Sequence, residues 1–430
     1  MNPNLLPNPY NFWYVKYNTN ASLTKSIKTN VVVVGGGMAG LSAAQAFHNK
    51  GFSVVLVEKN YCGAGASGKS SGFITPDAEL SLTDLSVIYG NMAAKNLWKF
   101  STAGVQLIKN NIEDFNIDCD YQVQDTLILA NTKSTFKSKI KEEYDHRKSL
   151  GYDARLYSED DVKNIVNSSK YKGGISYPET FGIQPYEYCQ AMKRILSEKG
   201  VLIFEDSPVT KVSSKGIETE FGSVSADYII LCMDRFLPNL SALKKEVYHA
   251  QNLLLLSKVL SPEQVKAIFP DKKYMVWDTD LIYQYYRLSG DNRIMLGGSN
   301  FLSVYRTHAN YNNTIMFNKL DKYFKYMFPQ VNVEYEYMWP GMIGVSKDIM
   351  PIGGRDKDFP NIYYAGAATG LPWSAALGMY CADNLINNRD DLDSYFSPYR
   401  KFFINRLAQT FLGTKLSFAI SNFMREKRLY

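Results

Sequence analysis

The sequence predicts an α/β protein with a Rossmann-like dinucleotide-binding domain and a second domain of α+β character built on an antiparallel sheet. Three observations carry that prediction: residues 31–40 read VVVVGGGMAG, residues 52–58 read FSVVLVE, and residues 247–260 and 281–298 read as long strands apart from either motif. Four β-branched residues in a row suit a strand covered on both faces, as in a parallel sheet with helices on each side. Gly35, Gly37 and Gly40 then fall on the G-x-G-x-x-G spacing, with Met38 and Ala39 inside it. In that pattern the first glycine makes a tight turn, the second lets backbone approach a pyrophosphate, and the third lets helix and strand pack closely. The helix N-terminus adds free N–H groups and the positive end of a dipole. Residues 41–49 read as an alanine-rich helix that Gly51 ends. The second strand closes on Glu58, 18 residues past Gly40, near the separation at which a carboxylate accepts hydrogen bonds from an adenosine ribose. Taken alone, the motif would also fit a glycine turn in another α/β unit; the order strand, turn, helix, strand, acid favours a dinucleotide.

At 430 residues the chain has material for two or three domains. Apolar residues make up 45% and charged residues 21%, an ordinary soluble balance, and no apolar run approaches the roughly 20 residues that span a bilayer. The five cysteines, Cys62, Cys119, Cys189, Cys232 and Cys381, are odd in number and scattered, which fits a reducing compartment and a cytoplasmic location. The four histidines lie far apart without metal-ligand spacing, so no metal site is expected. Residues 1–30 lack the basic start and apolar core of a secretory signal. They read as an irregular arm packing through Tyr10, Phe12, Trp13 and Tyr14, with disorder as the alternative.

The run 61–73, YCGAGASGKSSGF, holds Gly65, Ala66, Ser67, Gly68, Lys69, Ser70, Ser71 and Gly72. Small residues and a lysine let backbone approach a large anionic cofactor; a flexible loop is the plain alternative. Residues 81–113 look helical, residues 122–130 read as a strand, and residues 133–150 read as a charged helix whose Lys139, Lys141, Glu142 and Glu143 form a solvated face. Pro185 opens a helix that ends at Gly200, with a strand after it. Strands within 281–298 meet at the turn-rich tetrapeptide 289–292. Period-two alternation puts Tyr283, Tyr285 and Arg287 on one face. Two phenols and a guanidinium there suit a substrate site, through aromatic contact with an amine and charge-assisted bonding to an acid. A half-buried antiparallel strand is the bland reading of the same residues.

The stretches VVVVGGGMAGLSAA (31–44), VVLVEK (54–59) and GAGASGKSSG (63–72) resemble the start of the FAD-dependent amine and amino-acid oxidases, the family of D-amino acid oxidase and glycine oxidase. YYRLSGDNRIMLGG (285–298) resembles the branch that includes gamma-glutamylputrescine oxidoreductase. WPGMIGVSKDIMPIGG (339–354) resembles a family segment whose Trp339, Gly341, Asp348 and Pro351 would lie near the flavin. NIYYAGAATGLPWSAALG (361–378) resembles the last cofactor segment, with Gly366, Gly370, Leu371, Pro372, Trp373 and Ser374 facing the flavin's pyrimidine end. The resemblance implies FAD rather than NAD, adenosine held by Glu58 and Lys59, and adenine passed near Val209. It also implies a discontinuous cofactor domain (28–90, 161–238, 337–390) interrupted by a substrate domain (91–160, 239–336), with a basic helical tail at 391–430.

One departure bears on substrate. Glycine-oxidase-like members carry an arginine for the substrate carboxylate in the segment that here reads Gly341-Met342-Ile343-Gly344-Val345. The expectation is therefore oxidation of a primary or secondary amine, such as a polyamine conjugate, with Tyr285 and Arg287 at the substrate. Hydride would pass to the flavin, the imine would hydrolyse, and oxygen or another acceptor would take the electrons. A D-amino-acid or other amino-acid dehydrogenase passing electrons to quinone, a non-catalytic FAD-binding assembly protein and a flavin-independent nucleotide binder stay open. From residue 394 onward the chain has seven Lys and Arg against one acid, with apolar residues that suggest two helices. Docking on the cofactor domain is the favoured reading and peripheral membrane contact the other; no recognised nucleic-acid module accompanies the charge.

Overall fold

A computed structural model describes residues 6–7, 19–77, 79–236, 240, 243, 246–279, 283–299 and 313–426. The aromatic arm around Tyr10 and Trp13 lies outside the described residues, and the first long strand, Ser26–Val34, begins inside the segment expected to be irregular.

That strand sits in a parallel sheet. Val54–Val57 pairs with one edge of it and Ser223–Leu231 with the other; Leu202–Phe204 extends the sheet beyond the first, and Ile362–Gly366 beyond the second. Alternation along VVVV explains the two cores. Val31 and Val33 pack with Leu41, Ala44, Phe47 and Tyr380 beneath the helices Met38–Asn49 and Leu371–Asn387. Val32 and Val34 pack on the other side with Ile217, Val224, Phe236 and Tyr364. The sequence led us to expect helices on both faces. Among the described residues, the second face is instead covered in part by a meander, Val209–Ser213, Gly216–Thr219 and the start of Ser223–Leu231.

Among the described residues the second sheet has nine strands, in the order Leu6–Pro7, Tyr335–Ser346, Val247–Val259, Arg293–Ser299, Gln284–Leu288, Tyr274–Asp278, Asp125–Leu129, Gly174–Tyr177 and Arg155–Tyr157. Most neighbours are antiparallel, as expected; Tyr274–Asp278 runs parallel to Asp125–Leu129, and Leu6–Pro7 parallel to Tyr335–Ser346. Its outer face buries Leu253, Leu255, Tyr286 and Leu296 with Leu320, Phe324 and Phe328, which belong to or follow helix Asn313–Met327. The hairpin at 289–292 forms where the sequence placed it.

Sheet membership does not follow the expected boundaries at 91, 161 and 337. Helix Asn91–Asp114 packs into the helical core beside the parallel sheet, through Ala94, Leu97 and Ile108. Strand Gly174–Tyr177 belongs to the nine-stranded sheet, and so does all of Tyr335–Ser346; the chain returns to the parallel sheet at Ile352–Arg355. Turn signals mark where an element ends. They carry no information about which sheet it joins.

Candidate active site

A cavity of about 1250 Å³ lies between the two sheets. Its walls come from Val34 and Val57 at the ends of parallel strands, from the 64–71 loop, from Asn252, Leu254, Trp277 and Tyr285 of the large sheet, and from the start of helix Leu371–Asn387.

At one end the glycine turn opens the wall. Gly35 adopts a positive φ of 111°, and the Met38–Asn49 helix starts at Gly37, which no side chain caps. The Met38 N–H donates to Ser67 Oγ at 2.9 Å, which seats the small-residue loop against the turn. Glu58 ends its strand at the cavity, its carboxylate accepting from the N–H groups of Gly36 and Asn60 at 2.8 and 3.0 Å. Burial pushes Glu58 above the usual carboxylate range, opposed by those two bonds. Lys59, Lys69 and Arg235 also line the cavity. Burial, together with repulsion from Arg235 and Lys59, lowers Lys69 below its ordinary value.

At the other end the lining changes sign. Asp77, Glu79, Asp84, Glu142 and Glu143 all border the cavity. Arg147, 1% exposed, bonds Glu143 at 2.7 Å and Asp77 at 3.2 Å while its guanidinium lies between the rings of Trp98 and Tyr177. Two carboxylates thus share one buried cation. Burial raises Asp77 to about 6 despite Arg147. For Glu143, Arg147 and bonds from Thr83 more than offset burial, leaving it below its ordinary value. This corrects the solvated face expected at 133–150 for Glu143, which is buried, while Lys139 and Lys141 are exposed as expected. Residues Phe136–Lys141 wind as a π-helix, and Ser138, Lys139, Ile140, Glu142 and Glu143 reach the cavity; Glu143 accepts from the Leu82 and Thr83 N–H groups at the start of helix Leu82–Tyr89. Such local rewinding recurs at functional sites.

Between the two ends stands an aromatic wall of Phe73, Trp277, Tyr283 and Tyr285. Phe73 meets Trp277 and Tyr285 at centroid separations of 5.8 and 5.7 Å. Tyr283 donates to Glu79 at 2.8 Å. Tyr285 crosses over Gly297, its strand partner, where an added Cβ would stand 2.2 Å from the ring. Burial, and then Glu79, raise the Tyr285 phenol, so it is neutral.

Of the residues singled out from sequence, Gly35, Gly37, Met38, Ala39, Glu58, Lys59, Gly65, Ala66, Ser67, Lys69, Ser70, Ser71, Val209, Gly366, Gly370, Leu371, Ser374 and Tyr285 line this cavity. Six others do not. Gly40 packs on the glycine turn, where a Cβ would lie 1.8 Å from the Gly35 carbonyl oxygen, and Gly68 and Gly72 make similar backbone contacts with Gly63 and Ile183. Pro372 lies against Gly104, and Trp373 turns into the core, donating to the Pro76 carbonyl at 2.9 Å.

Arg287 is the main correction. It is fully buried and donates to the carbonyls of Ser71, Ile183 and Leu288 at 2.7, 2.6 and 3.1 Å, so it fastens the large sheet to the loop behind the cavity and has no part in its wall. Burial lowers it to about 10, with Asp120 acting the other way. Asp348 is likewise occupied, gripped by both ends of the Arg400 guanidinium at 2.6 Å. Trp339 lies buried behind the cavity, donating to the Lys69 carbonyl. The sequence reading missed Trp277, Arg235 and the carboxylates. Asp77 and Glu79 follow the small-residue loop directly and were within its reach; Trp277 and Glu143 arrive only through sheet pairing and helix packing.

Residues present here fit a large, anionic, ring-bearing cofactor. Three cations collect beside the glycine turn, and Thr369 Oγ1 and Asn252 Oδ1, in residues that line the cavity, are buried with no hydrogen-bond partner among the described residues. Groups left so are normally satisfied by a ligand or water. The family model described as FAD dependent oxidoreductase, DAO, matches residues 30–384. The chain is 28% identical over 361 residues to a probable oxidoreductase OrdL of Haemophilus influenzae, covering 81% of this chain and 80% of that one. It is also 28% identical over 363 residues to gamma-glutamylputrescine oxidoreductase of Escherichia coli, covering 83% and 82%. The fold is similar to the crystal structure of glycine oxidase from Geobacillus kaustophilus, with a TM-score of 0.72 at 17% identity, covering 87% of this chain and 100% of that one. With that match spanning most of its length, on a fold whose cavity suits the cofactor, the chain belongs to the DAO family of FAD-dependent oxidoreductases.

Proposed function

We propose that this oxidoreductase acts on the C–N bond of a primary or secondary amine that carries a second polar or cationic group, such as a polyamine conjugate. The observation that carries this reading is the sign change along the cavity: cations gather at the glycine turn, and Asp77, Glu79, Asp84, Glu142 and Glu143 border the far end. An α-amino acid needs a cation for its carboxylate. Arg287 does not reach the cavity, and Lys139, the cation at the acidic end, donates to the Thr279 carbonyl. The name of the Escherichia coli relative is consistent with an amine substrate.

In this reading the parallel sheet holds the cofactor and the nine-stranded sheet selects substrate. Gly35, Gly37 and the N–H groups around Met38, with Lys59, Lys69 and Arg235, would hold the phosphates. Glu58 would take the ribose, and Gly370, Leu371 and Ser374 would meet the ring. FAD supplies a hydride acceptor when bound. Phe73, Trp277, Tyr283 and Tyr285 give a site of low polarity that favours the neutral, reactive amine. Asp77 and the carboxylates beyond would hold the remote charged end and so position the reacting carbon. Oxygen or another acceptor would then reoxidise the enzyme.

The test is anaerobic bleaching of the holoenzyme across matched series of diamines, acylated diamines, monoamines and α-amino acids. Bleaching by amines with a second polar end, at rates well above those of monoamines of equal length, is the expected result. Bleaching by α-amino acids alone, or by nothing in the panel, would overturn it.

A further inference from the structure

The final helix, Arg406–Glu426, has its polarity reversed. Gln409 and Ser421 are buried at 8% and 4% exposure and Ser417 is wholly buried, whereas Leu407, Phe411, Leu416 and Phe423 are 73%, 89%, 50% and 54% exposed. Beyond the break at Gly413, Ser417 and Ser421 are four residues apart and share one face, which is buried although its side chains are polar; before the break Gln409 is the buried position. Leu407, Phe411, Leu412 and Leu416 lie on other faces and meet solvent. A helix that merely docks on a core turns its apolar stripe inward. This one turns it outward.

Charge says what would cover it. From residue 394 onward there are seven Lys and Arg and one acid, so the remaining residues, with 41 of each sign, are neutral and this segment carries the whole net charge of +6. Apolar side chains facing outward on a strongly basic segment fit an anionic lipid surface, where the rings enter the headgroup boundary and the cations meet phosphates. No helix among the described residues is long and apolar enough to cross a membrane, so the contact is one of lying on the surface. The root of the segment is fixed: Arg400 grips Asp348 with two 2.6 Å bonds and donates to the carbonyls of Met350, Phe396 and Ser397. Gly413, at φ 73°, breaks the helix into two parts.

We infer that residues 406–426 form an interfacial anchor that holds this enzyme on anionic lipid bilayers, with Leu407, Phe411 and Leu416 entering the surface.

The test is flotation of the full-length holoenzyme with phosphatidylcholine vesicles, with and without phosphatidylglycerol. The enzyme is expected to float with the anionic vesicles only, and to be released as salt is raised. The triple variant Leu407→Asp, Phe411→Asp, Leu416→Asp should bind at least tenfold less while keeping its flavin content and melting temperature. Phe411→Trp gives a second readout that survives if the triple variant folds poorly: its added emission should move to the blue with anionic vesicles and stay fixed with neutral ones. Wild type remaining at the bottom of the gradient, or undiminished flotation of a folded triple variant, would overturn the anchor. So would a dimer in solution that the triple variant splits without any lipid binding, which would assign the face to a second copy.

Discussion

At the scale of single residues, the paired carboxylates on Arg147 make the sharpest prediction. Asp77 ionises near 6 against an ordinary value of 3.8 because burial outweighs its guanidinium partner. Between those values the folded protein keeps a proton that the unfolded chain has released, so this group favours folding at low pH and that gain is lost as pH rises through about 6. Substrate binding runs the other way, since a cationic amine end is attracted only once the carboxylate has formed. We expect kcat/KM for such amines to climb through about pH 6, and Asp77→Asn to flatten that limb and lower the plateau about 10- to 100-fold, as loss of a charge-assisted hydrogen bond of about 1.5–3 kcal/mol implies. Steady-state pH profiles of both proteins decide it. Arg287 gives the opposite signature. Arg287→Met strands the carbonyls of Ser71 and Ile183, so melting should show a loss of about 3–5 kcal/mol while KM of the folded fraction stays within about twofold. A large rise in KM at unchanged stability would return Arg287 to the substrate. Alternation along the strand put Tyr285 on the cavity wall but not Arg287, because period two gives the face of a sheet and says nothing of the neighbour already waiting there.

At the scale of elements, the parallel-sheet side of the cavity is built by helices that touch without side chains between them. An added Cβ on Gly378 would stand 2.4 Å from the Ala39 carbonyl oxygen and 2.8 Å from Ala43 N, so helices Leu371–Asn387 and Met38–Asn49 meet backbone to backbone. Both helices start at the cavity. Gly378→Val must therefore tilt one against the other, and calorimetry together with the flavin-to-protein ratio should show at least the 1–3 kcal/mol typical of overpacking and a drop in bound flavin. These elements were legible in sequence, since strand, glycine turn and alanine-rich helix each carry local signals. The segment at 133–150 was not: its charges look like a solvated face until Arg147 is seen between Trp98 and Tyr177, contacts made across more than one element. The break at Gly90, with φ 86°, also split one expected helix into Leu82–Tyr89 and Asn91–Asp114.

At the scale of the molecule, the cavity is assembled from positions as far apart as Val34 and Ser374, with neither sheet enclosing it alone. Whatever fills it joins both sheets, so cofactor binding is folding energy for the whole. Removing flavin from the holoenzyme should lower the melting temperature, and adding free FAD at about 1,000 times its Kd should restore about 4 kcal/mol; an apoprotein melting at the holoenzyme's temperature would show that the sheets hold together unaided. Sequence motifs named most of the residues that line the cavity on the parallel-sheet side, though not Gly40, Gly68, Gly72, Pro372 or Trp373. The nine-stranded side was legible as strands, while the aromatic wall and the carboxylates came from pairings between distant segments such as Trp277 with Tyr285.

The reversed helix at the end of the chain also governs how copies of the enzyme treat one another. The segment from residue 394 onward, to which that helix belongs, carries the molecule's entire excess charge, so mutual repulsion at neutral pH comes from the same segment that exposes Phe411 and Leu416. Polyanions that neutralise the segment remove the repulsion and leave the sticky surface, and truncation removes both at once. Colloidal behaviour would therefore change in opposite directions under two treatments that lower the charge: heparin or high salt should promote self-association, whereas cutting the chain before the helix removes five Lys and Arg and one acid together with the adhesive face, and should not.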